Sequence, residues 1–408
     1  MKKIVLITTG QPSTNPRIVK EADALHAAGY DVTVLYSFFI SWAFEKDKIL
    51  LQKEPWKYNM LGGCPFEKKS IYLLSRIRSK AANTLNRYLG NSFWLAERTQ
   101  ARAYDELLQS AKKIKADWYI GHNLGALAVA VNAAKHNNAH AGFDFEDYHR
   151  GEFKPADKHN IKRIAWLENK YLPGLKYYST SSEMITAAVR KDHPLFKGKI
   201  ITLLNSFSLA QQPVYREKDA GDESLQLFWF SQTIGKNRGL EILIKALVLL
   251  NDASIHLTLA GRCNDEMSEY LTSNASEILT NIHFAGIIQP EDLPCFASGF
   301  DIGLALETGF SKNNNLALSN KIFTYLLAGN AIILSETLMQ ADFNSSYQIG
   351  ESFKINDAKA LAKNIMYYKN REKLNNQKFY NYELAKNTLN WNKESSKLVK
   401  LLARLEAE

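Results

Sequence analysis

The chain has 408 residues, 46% of them hydrophobic and 23% charged, with a formal net charge of +9. That length calls for two domains, since one core rarely grows past about 250–300 residues, and the composition excludes disordered, collagenous and low-complexity classes. Cys64, Cys263 and Cys295 lie far apart and in no C-x-x-C pair, which excludes a disulfide framework and a cysteine zinc site and points to a reducing compartment.

The first element is the apolar run Lys3–Thr9, read as a strand buried on both faces. It runs into Gln11-Pro12-Ser13 with no small-residue cleavage site, so a strand fits better than a signal peptide. No apolar run reaches the about 18 residues of a membrane span, and the expectation is a cytoplasmic protein. A loop opened by Gly10 leads to an amphipathic helix, Arg17–Ala28, closed by Gly29, and then to a strand, Asp31–Tyr36. This βαβ order implies a parallel sheet. The segment 67–115 carries 11 Lys/Arg against 4 Asp/Glu, so most of the positive excess sits in one eighth of the chain. Apolar and aromatic residues interleave it, which suits either a solvated helix pair or docking on an anionic membrane surface. Strand Asp117–Gly121, helix Leu124–His136 and strands Ala141–Phe145 and Lys176–Ser179 follow.

The polar stretch 208–224 reads as a linker between a first domain, 1–207, and a second, 225–389. The βα alternation restarts with strand Leu225–Phe230, helix Gly239–Leu250, strand Ser254–Gly261, helix Asp265–Ser273 and strand Ile282–Ala285. Helix Gln289–Ser298, strand Ile302–Leu306, helix Asn320–Ala328 and strand Ala331–Leu334 complete it. A helix at 390–405 is expected to pack back on the first domain. The reading is α/β: two doubly wound Rossmann-like domains, with ligands beyond the carboxyl ends of the strands and a cleft between facing halves.

Several constellations sit at those strand ends. Gly10 exposes backbone N–H groups, although the loop lacks the G-x-G-x-x-G spacing of a dinucleotide site. His122-Asn123 ends a strand; His122 is expected to face the cleft, and Asn123 doubles as a helix cap. Asp144, Glu146 and His149 cluster after the next strand, either as a solvated loop or as an acceptor contact. There is no D-x-D and no second His at ligand spacing, so no metal site is expected. Lys236 and Arg238 sit in the loop SQTIGKNRG at the start of a helix. Two cations there oppose the helix dipole unless a diphosphate binds. Gly261 and Gly286, each after a strand, leave room for a nucleotide. Glu307, Thr308 and Gly309 end another strand. Ser319 is a good N-cap for the helix opened by Asn320 and Lys321, a second phosphate-suited N-terminus.

In order and spacing these segments resemble the GT-B glycosyltransferases of the "glycosyl transferases group 1" type. The likeness runs over nearly the whole chain: the Gly loop with N-P-R and K-E-A-x-x-L-x-x-x-G-Y, D-x-x-x-x-H at His122, L-L-N-S at Asn205, the loop with Arg238-Gly239, H-F-A-G, E-D-L-P and S-N-K-I-F-T-Y-L-L-A-G. The resemblance implies metal-independent transfer, with retention, of a sugar from a UDP- or GDP-sugar to a cell-surface glycan or lipid-linked acceptor, with no further cofactor; no nucleic acid partner is expected, because the basic segment carries no recognisable binding module. It makes His122 and Glu307 the catalytic pair. Gly10, Lys236, Arg238, Asn320 and Lys321 would hold the diphosphate, and Gly261, Gly286, Ile287, Thr308 and Gly309 would line the donor pocket. Asn15, Arg17, Asp144, Glu146 and His149 would face the acceptor. Two departures stand out: Ser231-Gln232 replaces the family's Gly-Arg pair, and Thr324 stands where a ribose-binding Glu is common. A non-catalytic nucleotide-sugar binder and a GT-B epimerase therefore stay open as alternatives.

Overall fold

The computed structural model describes residues 1–219 and 221–408. They form two compact units, one of Met1–Leu203 with Ser395–Glu408, the other of Leu204–Glu394. Among the described residues no helix is long and apolar enough to cross a membrane.

The first unit holds seven strands: β1 (Lys3–Thr8), β2 (Asp31–Ser37), β3 (Lys57–Leu61), β4 (Trp118–His122), β5 (His140–Phe145), β6 (Tyr177–Thr180) and β7 (Lys199–Thr202). All pair in parallel, in the order β3-β2-β1-β4-β5-β6-β7. Parallel strands demand crossovers, and the helices Pro16–Ala27 and Leu124–Asn137 supply the two nearest the centre. Ile4 and Leu6 of β1 and Trp118 and Ile120 of β4 pack against Ile18, Ala22 and Leu25 of the first of these helices. Leu398, Leu402 and Leu405 of the last helix of the chain join the same core.

The second unit has six parallel strands: β8 (Leu225–Ile234), β9 (Ile255–Cys263), β10 (Ile282–Gly286), β11 (Ile302–Ala305), β12 (Ala331–Ser335) and β13 (Gly350–Phe353). Their order is β10-β9-β8-β11-β12-β13. The core gathers Leu227 and Trp229 of β8, Leu257 and Leu259 of β9, Leu304 of β11 and the inner face of helix Leu240–Leu250. In each sheet the winding direction reverses once, between β1 and β4 in the first and between β8 and β11 in the second. Such reversals open a crevice at the carboxyl ends of the two strands.

Three sequence expectations change. The strand read as Leu225–Phe230 continues to Ile234 through an irregularity in its pairing with β9 between Phe230 and Thr233, so Ser231 and Gln232 lie in strand rather than loop. The helix expected over Gln289–Ser298 shrinks to Leu293–Ala297, with Pro294 in its first turn. The edge strands β3, β7 and β13 appear where the alternation showed none, as does the helix Arg371–Asn387.

Candidate functional site

The crevice of the second unit is built by the loops that follow β8 and β11. Gly239 caps helix Leu240–Leu250 at φ +81°, and a Cβ there would stand 2.2 Å from the Leu306 carbonyl oxygen. Only glycine lets the two loops close this tightly. The Thr308 hydroxyl reaches the Asn237 carbonyl at 3.5 Å from the other side. Gly261, at φ +139°, brings β9 against the Ser231 carbonyl in the same way, at 2.2 Å from its would-be Cβ. Gly286 and the exposed Ile287 stand clear, with nothing near the glycine.

Glu307 organises the β11 side. Its carboxylate accepts hydrogen bonds from Ser319 Oγ at 2.8 Å, Lys321 Nζ at 2.9 Å and Asn314 Nδ2 at 3.2 Å. Burial alone would push its carboxyl up. Lys321 and the donated hydrogen bonds outweigh that and hold it down at about 2, so it is ionised at neutral pH. Two expectations shift as a result. Ser319 occupies the N-cap position of helix Asn320–Ala328, but its hydroxyl is spent on Glu307 and caps no backbone N–H. Lys321 is paired, so lysine and glutamate present a fixed dipole rather than a free cation. Asn320 accepts from Asn205 Nδ2 at 3.1 Å, and the Gly309 N–H is taken by Asn314 at 2.7 Å.

The loop after β8 divides its two cations. Lys236 leans away to Glu266, at 3.0 Å with both side chains exposed. Arg238 is exposed at the helix start, donates to Ser231 Oγ at 2.9 Å and pairs with no carboxylate among the described residues. Thr324 is buried, and its hydroxyl turns to the Asn320 carbonyl of its own helix.

In the first unit, Asn123 closes the crevice between β1 and β4. Its side chain donates to Thr8 Oγ1 at 2.8 Å and accepts from Thr9 Oγ1 at 2.7 Å. It stands at the N-cap of helix Leu124–Asn137, yet makes none of the expected capping bond. Gly10 lies beside it, its N–H donating to Thr8 Oγ1 at 3.2 Å.

His122 departs furthest from expectation. Instead of facing outward, its imidazole is wholly buried, with Nε2 at 3.3 Å from Glu21 and Nδ1 at 3.6 Å from Asp144. Arg17, also wholly buried, grips Asp144 through two hydrogen bonds at 2.7 and 2.9 Å and donates to the Leu203 carbonyl at 2.8 Å. Ser179 Oγ adds a bond to Asp144 at 2.6 Å. Thr8, His122, Asp144 and Ser179 occupy one register line across β1, β4, β5 and β6. Burial favours the neutral forms of His122 and Asp144, but the neighbouring charges win. Glu21 and Asp144 hold the imidazole above its ordinary value, and Arg17 and His122 hold the Asp144 carboxyl below its own. Asn15 is similarly turned inward, accepting from the Ile18 N–H as the cap of helix Pro16–Ala27.

Glu146 and Lys20, both half-buried, lie next to this network, and burial draws each toward neutrality near pH 7. Asp147 reinforces the rise of Glu146, and Arg17 reinforces the fall of Lys20. His149 is buried, with Nδ1 at 2.6 Å from Glu152. Ser179 lies outside every motif, and Lys20 and Glu21, the first two residues of the K-E-A run, were given no role there. Glu21 sits one helical turn after Arg17, a spacing that places both on one face.

No protein-family model and no curated protein sequence matches the chain. Among solved structures, Anabaena Alr3699/HepE in complex with UDP and glucose superposes with a TM-score of 0.68 at 14% identity, covering 99% of this chain and 100% of the other. Sucrose-phosphate synthase from Thermosynechococcus elongatus gives 0.71 at 12% identity over the full length of both chains. A mutant of S. aureus TarM gives 0.66 at 11% identity, covering 98% of this chain and 99% of its own. With its two parallel, doubly wound sheets, the chain shares the Rossmann-like two-domain fold of the GT-B glycosyltransferases.

Proposed function

We propose that the chain is a glycosyltransferase that moves a sugar from a nucleoside-diphosphate sugar to a glycan or lipid-linked acceptor. The observation that carries this reading is the β8–β11 crevice. There an exposed arginine with no carboxylate partner among the described residues stands at a helix N-terminus, a second helix N-terminus lacks its side-chain cap, and glycine clears the backbone between them. Backbone N–H groups and a guanidinium together suit a diphosphate. The neighbours described with UDP or UDP-glucose make a uridine nucleotide the first candidate.

In this reading Arg238 and the two helix starts take up the charge that grows on the leaving diphosphate, with no metal in that role. Glu307 fixes Lys321 and the loop 307–321, and its second task is to accept from sugar hydroxyls. Lys236 makes an exposed ion pair of about 0–1 kcal/mol and stands 5.9 Å from the centre of the Tyr270 ring, contacts weak enough to be given up to an incoming phosphate. His122, sealed in its network, positions the β1–β4 crevice rather than touching the donor. Retention of anomeric configuration is part of the proposal on the strength of the family resemblance.

The test is calorimetric titration with UDP, UDP-glucose and GDP in buffer containing EDTA. Arg238→Ala is expected to weaken the nucleotide that binds by about 1–3 kcal/mol, roughly 5- to 150-fold. Lys236→Ala is expected to cost less. An Arg238→Ala protein that binds as well as wild type, or a wild type that binds no nucleotide, overturns the assignment. The buried Thr324, offering no carboxylate to a ribose, favours a second reading, a non-catalytic nucleotide-sugar binder. Sugar transfer to pooled lipid acceptors at saturating donor separates the two.

A further inference from the structure

The helix Lys69–Leu89 is built inside out. Its buried positions are Ser75, Ala82 and Asn86, while Leu73, Leu74, Ile77, Leu85 and Tyr88 are exposed, Ile77 by 66% and Tyr88 by 82%. At 100° per residue those five apolar side chains share one face, opposite the small and polar one. Polar bonds hold the inward face. Ser75 Oγ donates to the Tyr72 carbonyl at 2.8 Å and accepts from Arg102 at 2.5 Å. Arg78 grips Asp105 at 2.7 Å and Glu106 at 2.6 Å, and Asn86 donates to the Gly90 carbonyl at 2.8 Å. The orientation is therefore fastened, and an apolar face of this kind normally finds a cover.

The exposed apolar surface is concentrated here. Of 27 exposed large hydrophobic side chains among the described residues, 15 fall between Phe39 and Trp94. Phe93 and Trp94, just before the next helix, Leu95–Gln100, both adopt left-handed backbone, at φ 54° and 61°, conformations that bulky residues enter only when held there.

Charge names the cover. The helix has five Lys/Arg and no Asp or Glu. Lys69, Arg76, Lys80 and Arg87 are exposed and make no ion pair among the described residues. On the helix they line one flank of the apolar face. A second copy of the chain would set these cations against their own images. We propose that the outward face of helix Lys69–Leu89, with Phe93 and Trp94, docks on an anionic phospholipid surface. The apolar side chains enter the headgroup boundary, the cations meet lipid phosphates, and the aromatics sit at interfacial depth. This surface is independent of the nucleotide crevice, so the two readings stand or fall separately.

The test is co-sedimentation of the full chain with vesicles of phosphatidylcholine alone and of phosphatidylcholine with about one-third phosphatidylglycerol, at low and high salt. Binding is expected only with the anionic vesicles and should fall with salt. Lys80→Ala with Arg87→Ala should weaken it about 30-fold, from about 1 kcal/mol per cation. Ile77→Glu with Leu85→Glu should abolish it, and Leu195→Glu, on the same unit and 88% exposed in the parent, should leave it unchanged. Equal binding to neutral vesicles, wild-type binding by either double variant, or no binding to either vesicle overturns the proposal. So does a concentration-dependent dimer that Ile77→Glu with Leu85→Glu dissolves in a chain that ignores lipid.

Discussion

Replacing Glu307 by Gln tests the electrostatics of the crevice directly. The side chain keeps its shape and still accepts from Ser319, but it loses the charge that faces Lys321 at 2.9 Å. Holding the carboxyl at about 2 against an ordinary 4.5 corresponds to about 3 kcal/mol in favour of the ionised, folded arrangement. The sign follows from the depressed value: the contribution is complete above the unfolded value and is lost as pH falls toward the folded one. At pH 7 the variant should open about a hundredfold more readily around 302–328; at pH 3 the remaining difference should be less than half, about 1.4 kcal/mol. Amide hydrogen exchange of peptides spanning that segment reads it locally, as the ratio of variant to wild type at each pH. This avoids treating a two-unit chain as one cooperative transition. A ratio that is the same at pH 3 and pH 7 would refute the reasoning and make the cost one of packing.

The buried network of the first unit should behave as a coupled set. Arg17→Met strands Asp144 without its guanidinium and is expected to cost about 3–5 kcal/mol. Arg17→Met with Asp144→Leu should recover much of that, and urea denaturation of the four proteins gives the coupling; strictly additive losses would mean that the pair does not act as one unit despite its two hydrogen bonds. Glu146 carries the opposite sign from Glu307. Its folded value, about 7, lies above its unfolded one, so it lowers stability as pH rises from about 4.5 to 7. Glu146→Gln should therefore flatten that decline in thermal melts, and an unchanged pH profile would show the carboxyl to be solvated.

The order of strands and helices was legible because the inner strands are unbroken apolar runs bounded by glycine and polar loops, as in Lys3–Thr8 and Ala331–Ser335. Of the four edge strands only Ile282–Gly286 was. Lys57–Leu61, Lys199–Thr202 and Gly350–Phe353 are short and half exposed and carry no such run; pairing with a neighbour makes them strands. Helix Arg371–Asn387 is rich in Asn and Lys, with no clean apolar stripe, and owes its form to the turn-by-turn burial of Leu374, Lys378, Asn381 and Ala385. In the second crevice, Glu307 was legible at a strand end, and Gly239 as the start of a helix. The use of Ser319 was not, since a hydroxyl directly before a helix serves a cap and a carboxylate equally well until the loop brings Glu307 within reach.

His122 shows which signal went unused. Successive side chains of a strand alternate, so residues 118, 120 and 122 share a face. Trp118 and Ile120 are the natural core pair of that strand, and their parity already commits His122 to the same buried side. The same count on the helix puts Arg17 and Glu21 on the stripe of Ile18, Ala22 and Leu25, all of them buried. Two charged residues on an apolar stripe and a histidine on a core parity cannot each be buried alone, because an unpaired buried charge costs several kcal/mol. They must find one another or a further partner, and Asp144, next to His122 in register, completes the set. Periodicity applied to polar residues as strictly as to apolar ones therefore locates the network, and it separates His122, buried between Glu21 and Asp144, from Arg238, whose charge is left exposed beside the β8–β11 crevice.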